Sequence, residues 1–234
     1  MQNSESRRKI HIAIDGPAAS GKSTVARIVA DRLGLLYLDT GAMYRAVTWQ
    51  GLREHLNFDD AAALASLASR MQLTVEPWLS YPQGYRVLVE GRDITHELHS
   101  PPVNEKVSIV AAMSAVRRVL VERQKDIARS GGVVMAGRDI GTVVLPDAEV
   151  KIFLLAGAEE RARRRHLEFD EKGTPVPYEE VLHNVLERDR IDSTRKDSPL
   201  RPAEDAVQVD STNLSIEEVV SEILRIVREK TGES

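Results

Sequence analysis

The sequence predicts an α/β protein in which a parallel sheet is covered by helices on both faces. Apolar segments typical of buried strands recur along the 234 residues, and segments with helical periodicity separate them. A glycine-rich loop stands between the first such strand and the first helix. Parallel strands need long crossover connections, so this alternation favours one parallel sheet. Ligands of such sheets bind beyond the carboxyl ends of the strands.

The predicted strand at residues 10–15 leads into a phosphate-binding loop. The loop, Gly16-Pro-Ala-Ala-Ser-Gly-Lys-Ser23, has the pattern G-x-x-x-x-G-K-[ST]. Its glycines let backbone N–H groups turn toward phosphate oxygens, and the N-terminus of the next helix adds positive potential. Lys22 is expected at the β- and γ-phosphates and the Ser23 hydroxyl on Mg²⁺. The motif predicts binding of a nucleoside triphosphate by Gly16, Pro17, Ala18, Ala19, Ser20, Gly21, Lys22, Ser23 and Thr24.

Four further strands and five helices complete the predicted core. The strands are expected at residues 35–39, 133–136, 150–156 and 206–210. The helices are expected from Ser23 to a C-cap at Gly34, and at residues 42–55, 104–129, 178–190 and 216–230. Ser215 and Glu218 form a capping box for the last helix.

Two stretches break this alternation. Residues 72–76 and 86–90 alternate apolar and polar side chains like short antiparallel strands, and they predict a small β insert. Residues 168–177 contain Gly173, Pro175 and Pro177, and they are expected to form a mobile loop.

The composition excludes several classes of protein. A net charge of −4 argues against general affinity for nucleic acid or anionic membranes. The chain has no cysteine, so it has neither disulfides nor thiolate metal sites. Residues 1–8 are polar and are expected to form a disordered tail before a single domain at residues 9–234. We expect a cytoplasmic monomer with no nucleic-acid or membrane partner.

Polar residues after the second predicted strand suggest a second binding site. Thr40 could cap the next helix, Tyr44 offers a ring face and a hydroxyl, and Arg45 offers a fork for an oxyanion. A capped helix with a surface arginine is the alternative interpretation.

The third predicted strand is followed by Arg138 and Asp139, which could contact a ligand or form a salt bridge within the turn. Four arginines lie within residues 161–165. A solvated helix face would explain this run, but its place beside the irregular stretch favours a lid.

Arg188, Asp192 and Arg195 are spaced at i, i+4 and i+7. They share one face if the helix continues, and that face would present donors and an acceptor to a polar ligand. A salt bridge between Arg188 and Asp192 is the alternative.

Together these residues resemble those of bacterial cytidylate kinases, within the P-loop nucleoside monophosphate kinases. The resemblance spans residues 10–212, and its most specific blocks are Asp39-Thr-Gly-Ala-Met-Tyr-Arg45 and Gly137-Arg-Asp-Ile-Gly-Thr-Val-Val144. It implies the P-loop nucleoside monophosphate kinase fold, with a β-containing acceptor insert at about 66–108 and a lid at about 157–177. It also implies transfer of phosphate from ATP, with Mg²⁺, to CMP or dCMP.

The resemblance assigns roles to individual residues. Those expected to act on the transferring phosphate are Lys22, Arg45, Arg138, Arg161 and Arg164. Those expected to bind CMP are Thr40, Tyr44, Arg45, Ser108, Arg117, Arg138, Asp139, Arg188, Asp192 and Arg195. Within this set, Ser108, Arg117 and Asp139 match positions that contact cytosine.

Three other functions compete with this interpretation. A P-loop kinase for another small acceptor such as UMP would differ only in its acceptor pocket. A GTP-dependent switch protein would need an Asn-Lys-x-Asp motif, which the sequence lacks. An ATPase that acts on nucleic acid is disfavoured by the acidic net charge.

Overall fold

The computed structural model describes residues 10–77, 84–171 and 173–232. The predicted tail at residues 1–8 lies outside the described residues, as do residues 78–83 of the predicted insert. The strands are β1 His11–Asp15, β2 Leu36–Asp39, β3 Leu73–Pro77, β4 Tyr85–Val89, β5 Arg92–Asp93, β6 Val133–Gly137, β7 Val150–Leu155 and β8 Val207–Asp210. The helices are α1 Lys22–Leu33, α2 Thr40–Arg53, α3 Ala61–Arg70, α4 Pro101–Ala112, α5 Ser114–Arg129, α6 Ala158–Glu171, α7 Tyr178–Thr194 and α8 Ile216–Thr231.

Five strands form a parallel sheet in the order β2-β6-β1-β7-β8. In the central strand β1, Ile14 pairs with Ala136 on one side and with Ile152 on the other. Every residue of β6 is buried, and because successive side chains of a strand point to opposite faces, both faces of the sheet are covered. The predicted α/β class is confirmed.

A second sheet of three antiparallel strands, β3-β4-β5, forms the β insert. Its β3–β4 register joins Leu73 to Val89, which confirms the antiparallel strands predicted there. Trp49 of α2 packs against this insert, with the guanidinium carbons of Arg53 and Arg92 lying 4.8 and 5.4 Å from its ring centre.

The predicted helix at residues 104–129 is wrong, because the structure has two helices there. The chain is extended at Met113 (φ −76°, ψ 112°) between α4 and α5. Helix-forming residues stand on both sides of Met113, and the helical spacing of apolar residues continues across it. The sequence pattern therefore does not reveal a break of one residue. The break lets Arg117 of α5 donate a hydrogen bond back to the Ala111 carbonyl at 3.2 Å.

The loop predicted at residues 168–177 is also shorter than expected, because α6 continues to Glu171. Phe169 explains the extension, since it packs against a small apolar cluster of Ala162, Val181 and Val185 between α6 and α7. This cluster is separate from the main core, so α6 and α7 form a hairpin with an apolar centre of its own.

Helix ends mostly follow the chemistry of their capping residues. Gly34 ends α1 with φ 63°, as predicted, and the predicted capping box of Ser215 and Glu218 begins α8. The expectation that Thr40 caps α2 is wrong: the Asp39 carboxylate accepts the Gly41 N–H at 2.9 Å, and Thr40 is the first helical residue. No helix within the described ranges is long and apolar enough to cross a membrane.

Candidate active site

A cleft of about 210 Å³ lies at the carboxyl ends of β1, β2 and β6. Helices α1, α2, α4, α5, α6 and α7 also contribute side chains to its wall. Among the described residues, those that line it are Ala18, Ala19, Lys22, Ser23, Asp39, Thr40, Gly41, Tyr44, Arg45, His99, Val107, Ser108, Ala111, Arg117, Gly137, Arg138, Asp139, Arg165, Arg188, Asp192 and Arg195.

The phosphate loop forms one wall of this cleft through a backbone conformation that needs its glycines. Gly16 has φ 155°, and a Cβ there would lie 2.3 Å from the Leu154 carbonyl oxygen. Gly21 has φ 86° and precedes α1 directly. The backbone therefore passes very close to β7, and the N-terminus of α1 opens beside the cleft.

Lys22 is the buried cation of the loop, and its ammonium donates a hydrogen bond to the Pro17 carbonyl at 2.9 Å. Burial, together with the nearby Arg138, lowers the pKa of Lys22 well below its ordinary value, while Asp39 opposes that shift. An anionic phosphate beside it would stabilise its charged form.

Ser23 and Asp39 place two oxygen ligands together at the same wall. The Ser23 hydroxyl donates to Asp39 Oδ2 at 3.0 Å. Magnesium prefers hard oxygen ligands and takes several of them from substrate phosphates and water. This pair therefore fits a magnesium ion that arrives with a nucleotide.

The side of the cleft formed by α2, α4, α5, α7 and the turn after β6 holds the residues expected to bind the acceptor and is here called the acceptor wall. In it, Thr40 packs against the turn that follows β6. Its hydroxyl donates to the Ala136 carbonyl at 2.9 Å. A Cβ at Gly137 would lie 2.7 Å from that hydroxyl oxygen and 2.6 Å from Ile140 Cδ1, so only glycine fits there. This close approach brings the residues after β6 against the start of α2.

Arg45 is held from the insert side of the cleft. Its Nη1 donates to the Leu98 carbonyl at 3.0 Å and to Asn104 Oδ1 at 2.6 Å. Burial lowers its pKa to about 10, although the negative charge of Asp39 opposes the shift. The Arg45 guanidinium is thus held through its Nη1 atom, while the side chain lines the cleft.

Arg117 and Asp139, which both line the cleft, form a buried ion pair. The Arg117 guanidinium carbon lies 5.6 Å from the Tyr44 ring centre, and Arg195 Nη2 lies 3.8 Å from Asp139 Oδ1. Among the described residues, Arg117 Nε and Arg195 Nη2 are buried nitrogens that make no hydrogen bond. Buried donors are normally paired, so these two atoms suit acceptors on a bound ligand.

Arg138 and Asp192 join the turn after β6 to α7, since Arg138 Nε donates to Asp192 Oδ2 at 2.7 Å. Asp192 also lies 3.9 Å from Arg195. Burial, followed by the charges of Arg138 and Arg45, lowers the pKa of Arg188 to about 10. Several cations therefore share one partly buried region, which is an environment for a strongly anionic ligand.

The structure separates the arginines of the α6 run. Arg161 is buried and donates to both Asp189 oxygens, at 3.0 and 2.6 Å, and to the Ala18 carbonyl at 3.2 Å. Arg164 donates to Glu160 and to the Ser211 carbonyl. Neither lines the cleft, whereas Arg165 does.

All ten residues expected to bind the acceptor line the same cleft, although they come from four helices, the residue that follows α7 and the turn after β6. Of the nine phosphate-loop residues, Ala18, Ala19, Lys22 and Ser23 reach it, while Gly16, Pro17, Ser20, Gly21 and Thr24 shape the loop behind. The sequence interpretation did not name seven lining residues as individual site residues: Asp39, Gly41, His99, Val107, Ala111, Gly137 and Arg165. The position of Asp39 at the carboxyl end of a strand was a usable signal, and Arg165 stood within the arginine run.

Comparisons with known proteins agree with this geometry. The profile of the cytidylate kinase family matches residues 12–229, a span that contains the whole cleft. The chain is 52% identical to a cytidylate kinase of Bacillus velezensis over 224 residues, which are 96% of this chain and 99% of that one. It is 54% identical to a cytidylate kinase of Desulforamulus reducens over 213 residues, 91% of this chain and 94% of that one. The chain therefore belongs to the cytidylate kinase family.

Proposed function

We propose that the chain transfers the γ-phosphoryl group of ATP to the phosphate of CMP or dCMP, which yields ADP and CDP or dCDP. The observation that carries this proposal is a single cleft that joins the phosphate loop at Lys22 and Ser23 to the buried pair of Arg117 and Asp139. Family membership supports it, because the relatives matched are cytidylate kinases.

On the donor side, the phosphate loop and Lys22 bind the β- and γ-phosphates of ATP. Ser23 and Asp39 would hold a magnesium ion, which when bound neutralises charge on the phosphate oxygens. The Lys22 ammonium stabilises charge that develops as the γ-phosphoryl group leaves.

On the acceptor side, Arg45, Arg138 and Arg188 surround the phosphate of CMP. Phosphoryl transfer of this kind needs no covalent intermediate, and its rate depends mainly on position and charge stabilisation. Arg165 is the arginine of α6 that we assign to the transferred group. It lines the cleft and its ion pair with Glu168 is long, at 3.7 Å, whereas Arg161 and Arg164 donate to other partners outside the lining.

Selection of cytosine rests on Asp139 and Arg117. The Asp139 carboxylate can accept a hydrogen bond from the 4-amino group of CMP, while Arg117 Nε can donate to a ring acceptor. UMP carries a carbonyl where CMP carries that amino group, so a carboxylate would face an acceptor. CMP is therefore the favoured substrate over UMP.

The direct test is ADP formation from ATP with CMP, dCMP, UMP, AMP or GMP as the second substrate. We expect CMP and dCMP to give the highest kcat/KM, UMP a lower value, and the purine nucleotides the lowest. AMP or GMP as the best acceptor would refute the proposal.

The insert at about 66–108 and the lid at about 157–177 are proposed to close over the bound nucleotides, drawing Arg165 toward the transferred group. The separate apolar cluster of α6 and α7 supports motion of that hairpin as a unit. Hydrogen exchange with and without mimics of both substrates tests this. Protection should rise in both segments while β1 changes little; equal exchange across residues 157–177 would contradict closure.

We further propose that the enzyme acts as a cytoplasmic monomer. This proposal is supported by the cleft itself, in which a single copy supplies both the phosphate-loop residues and all ten residues expected to bind the acceptor. Sedimentation at the concentration used for the assay tests this, and a dimer at that concentration would contradict it.

A further inference from the structure

Asp15 is a buried carboxylate outside the lining of the cleft. It is the last residue of β1 and directly precedes the phosphate loop, and its side chain is buried. Its Oδ1 accepts the Ile140 N–H at 2.8 Å, and its Oδ2 accepts the Gly141 N–H at 2.8 Å. One carboxylate thus joins the residue before the phosphate loop to the residues after Arg138 and Asp139.

The two N–H groups it holds begin the helical turn Ile140–Val144. Within that turn, Val143 donates to the Asp139 carbonyl at 2.9 Å and Leu145 donates to the Ile140 carbonyl at 2.7 Å. The first N–H groups of a helical turn have no partner inside it, so Ile140 and Gly141 need an acceptor from elsewhere. A carboxylate suits this place, because the start of such a turn carries partial positive charge.

Asp139 is the residue whose position this contact determines most closely. Its backbone lies at φ −147°, ψ 27°, outside the regular helix and strand regions. The two hydrogen bonds that Asp15 accepts hold the N–H groups of the two residues that directly follow Asp139.

A buried carboxylate at Asp15 lowers the folding stability at neutral pH, which a purely structural role does not explain. Burial raises its pKa to about 6, and the charge of Asp139 adds to that effect, while the two N–H groups and Lys22 oppose it. Ionising it near neutral pH therefore costs folding stability, which favours a functional reason for a carboxylate here.

We propose that Asp15 is a positioning residue that holds Arg138 and Asp139 in register with the phosphate loop, so that the acceptor phosphate meets the γ-phosphate in line. This inference rests on the proposed phosphoryl transfer. Asp15 touches neither nucleotide; it acts through the turn that carries Arg138 and Asp139.

Asp15→Asn tests the role without a change of shape. Asparagine retains one oxygen but presents an NH₂ group to the other N–H, so one of the two bonds is lost. Asp60→Ala is the matched control, since Asp60 Oδ1 accepts the N–H groups of Ala62 and Ala63 at 3.0 and 2.9 Å at the start of α3, away from the cleft.

The readouts are kcat, KM for ATP and KM for the best acceptor in the nucleotide panel, with thermal unfolding and amide exchange on each variant. Asp15→Asn should lower kcat/KM for the acceptor about tenfold or more, because misplacement of reacting groups by about 1 Å costs up to about a hundredfold. Exchange at Ile140 or Gly141 should quicken, while KM for ATP changes far less. Asp60→Ala should lower the unfolding temperature and leave every kinetic constant unchanged.

Unaltered kcat/KM in Asp15→Asn with faster exchange at Ile140 or Gly141 would overturn the positioning role. An equal fall in Asp60→Ala would overturn it too, since it would reduce the effect to general loss of stability. Failure of wild type to phosphorylate CMP would refute the proposed function instead. The positioning role of Asp15 would then be tested by comparing the variants with the best acceptor found in the nucleotide panel.

Discussion

The donor and acceptor walls of the cleft are built in different ways. The donor wall is a single stretch of chain, Gly16 to Ser23, whose backbone follows from its glycines and from the start of α1. The acceptor wall combines side chains from α2, α4, α5 and α7 with the turn after β6, and buried ion pairs such as Arg117–Asp139 hold it together. A local motif can specify the first wall, whereas only the whole fold assembles the second.

Removal of Lys22 should give the largest effect, because it takes the main charge from the donor wall. Lys22→Ala should remain folded and lower turnover by about 10²–10³ or more, the scale for loss of one preorganised charge. Steady-state kinetics with ATP and CMP measure this. Lys125→Ala is the control, since Lys125 pairs with Glu122 on the exposed face of α5. Near-normal turnover in a folded Lys22→Ala would show that the loop does not bind the triphosphate as proposed.

Asp15, which joins the phosphate loop to the turn of the acceptor wall, should make the free energy of unfolding depend on pH. The pKa of Asp15 is raised to about 6 in the folded protein, above its value in the unfolded chain. The protonated carboxyl therefore contributes most to the free energy of unfolding below the unfolded-state pKa, and this contribution is lost as pH rises through 6. Relative to Asp15→Asn, wild type should lose about 2 kcal/mol of unfolding free energy between pH 4 and pH 7. Asp139 and Lys22 face Asp15, and the Lys151 chain passes beside Gly141; all three are present in both proteins.

Urea unfolding of wild type and Asp15→Asn at a series of pH values measures this difference. Titrating groups that do not interact with Asp15 contribute equally to the two proteins and cancel in the comparison, whereas the coupling of Asp139 and Lys22 to Asp15 is part of the difference measured. A difference that stayed constant with pH would mean that Asp15 titrates alike in the folded and unfolded states.

The acceptor wall can be altered in its choice of base. Asp139→Asn presents an amide NH₂ that can donate to the 4-carbonyl of UMP, so the ratio of kcat/KM for CMP over UMP should fall about 10- to 100-fold. The ratio does not depend on the fraction of folded enzyme, which matters because Asp139→Asn leaves the buried Arg117 without a charged partner.

Asp205→Asn is the control for this ratio, because Asp205 is an exposed partner of Lys151. An unchanged ratio in Asp139→Asn would remove Asp139 from base selection and would reopen the choice between CMP and UMP.

Substitutions in the arginine run of α6 should have the smallest kinetic effect, and that effect should differ between the arginine that lines the cleft and those that do not. Arg165→Ala should lower kcat about tenfold, as a lost cationic contact at the transferred group. Arg161→Ala should mainly lower the unfolding temperature, because it breaks the Asp189 pair and the bond to the Ala18 carbonyl. Arg163, which is exposed and pairs with Glu160, serves as the control for lost surface charge. The reverse order of kinetic effects for Arg165 and Arg161 would place the active lid arginine at Arg161.

The sequence predicted most of the sheet because buried parallel strands are continuous apolar runs, and all five strands lie within one or two residues of their expected bounds. It missed the break at Met113, because helix-forming residues continue across it. It missed α3 as well, although Asp60 caps that helix through two backbone N–H groups.

For the site, the residue types and their order along the chain predicted which residues line the acceptor wall, but they did not predict which atoms each side chain contacts. The commitment of Arg161 to Asp189 depends on the packing of α6 against α7, which no local pattern encodes. The role of Asp15 depends on contacts 125 and 126 residues away.

The claim that both walls serve one reaction is tested most directly by a ligand that spans them. Cytidine and adenosine joined 5′ to 5′ through five phosphates can occupy the donor and acceptor walls together, and calorimetry can compare its affinity with those of ATP and CMP. We expect it to bind about 10²–10⁴ times more tightly than either nucleotide, and Lys22→Ala and Asp139→Asn should each weaken it. Affinity no greater than that of ATP alone would contradict a single cleft that brings donor and acceptor face to face.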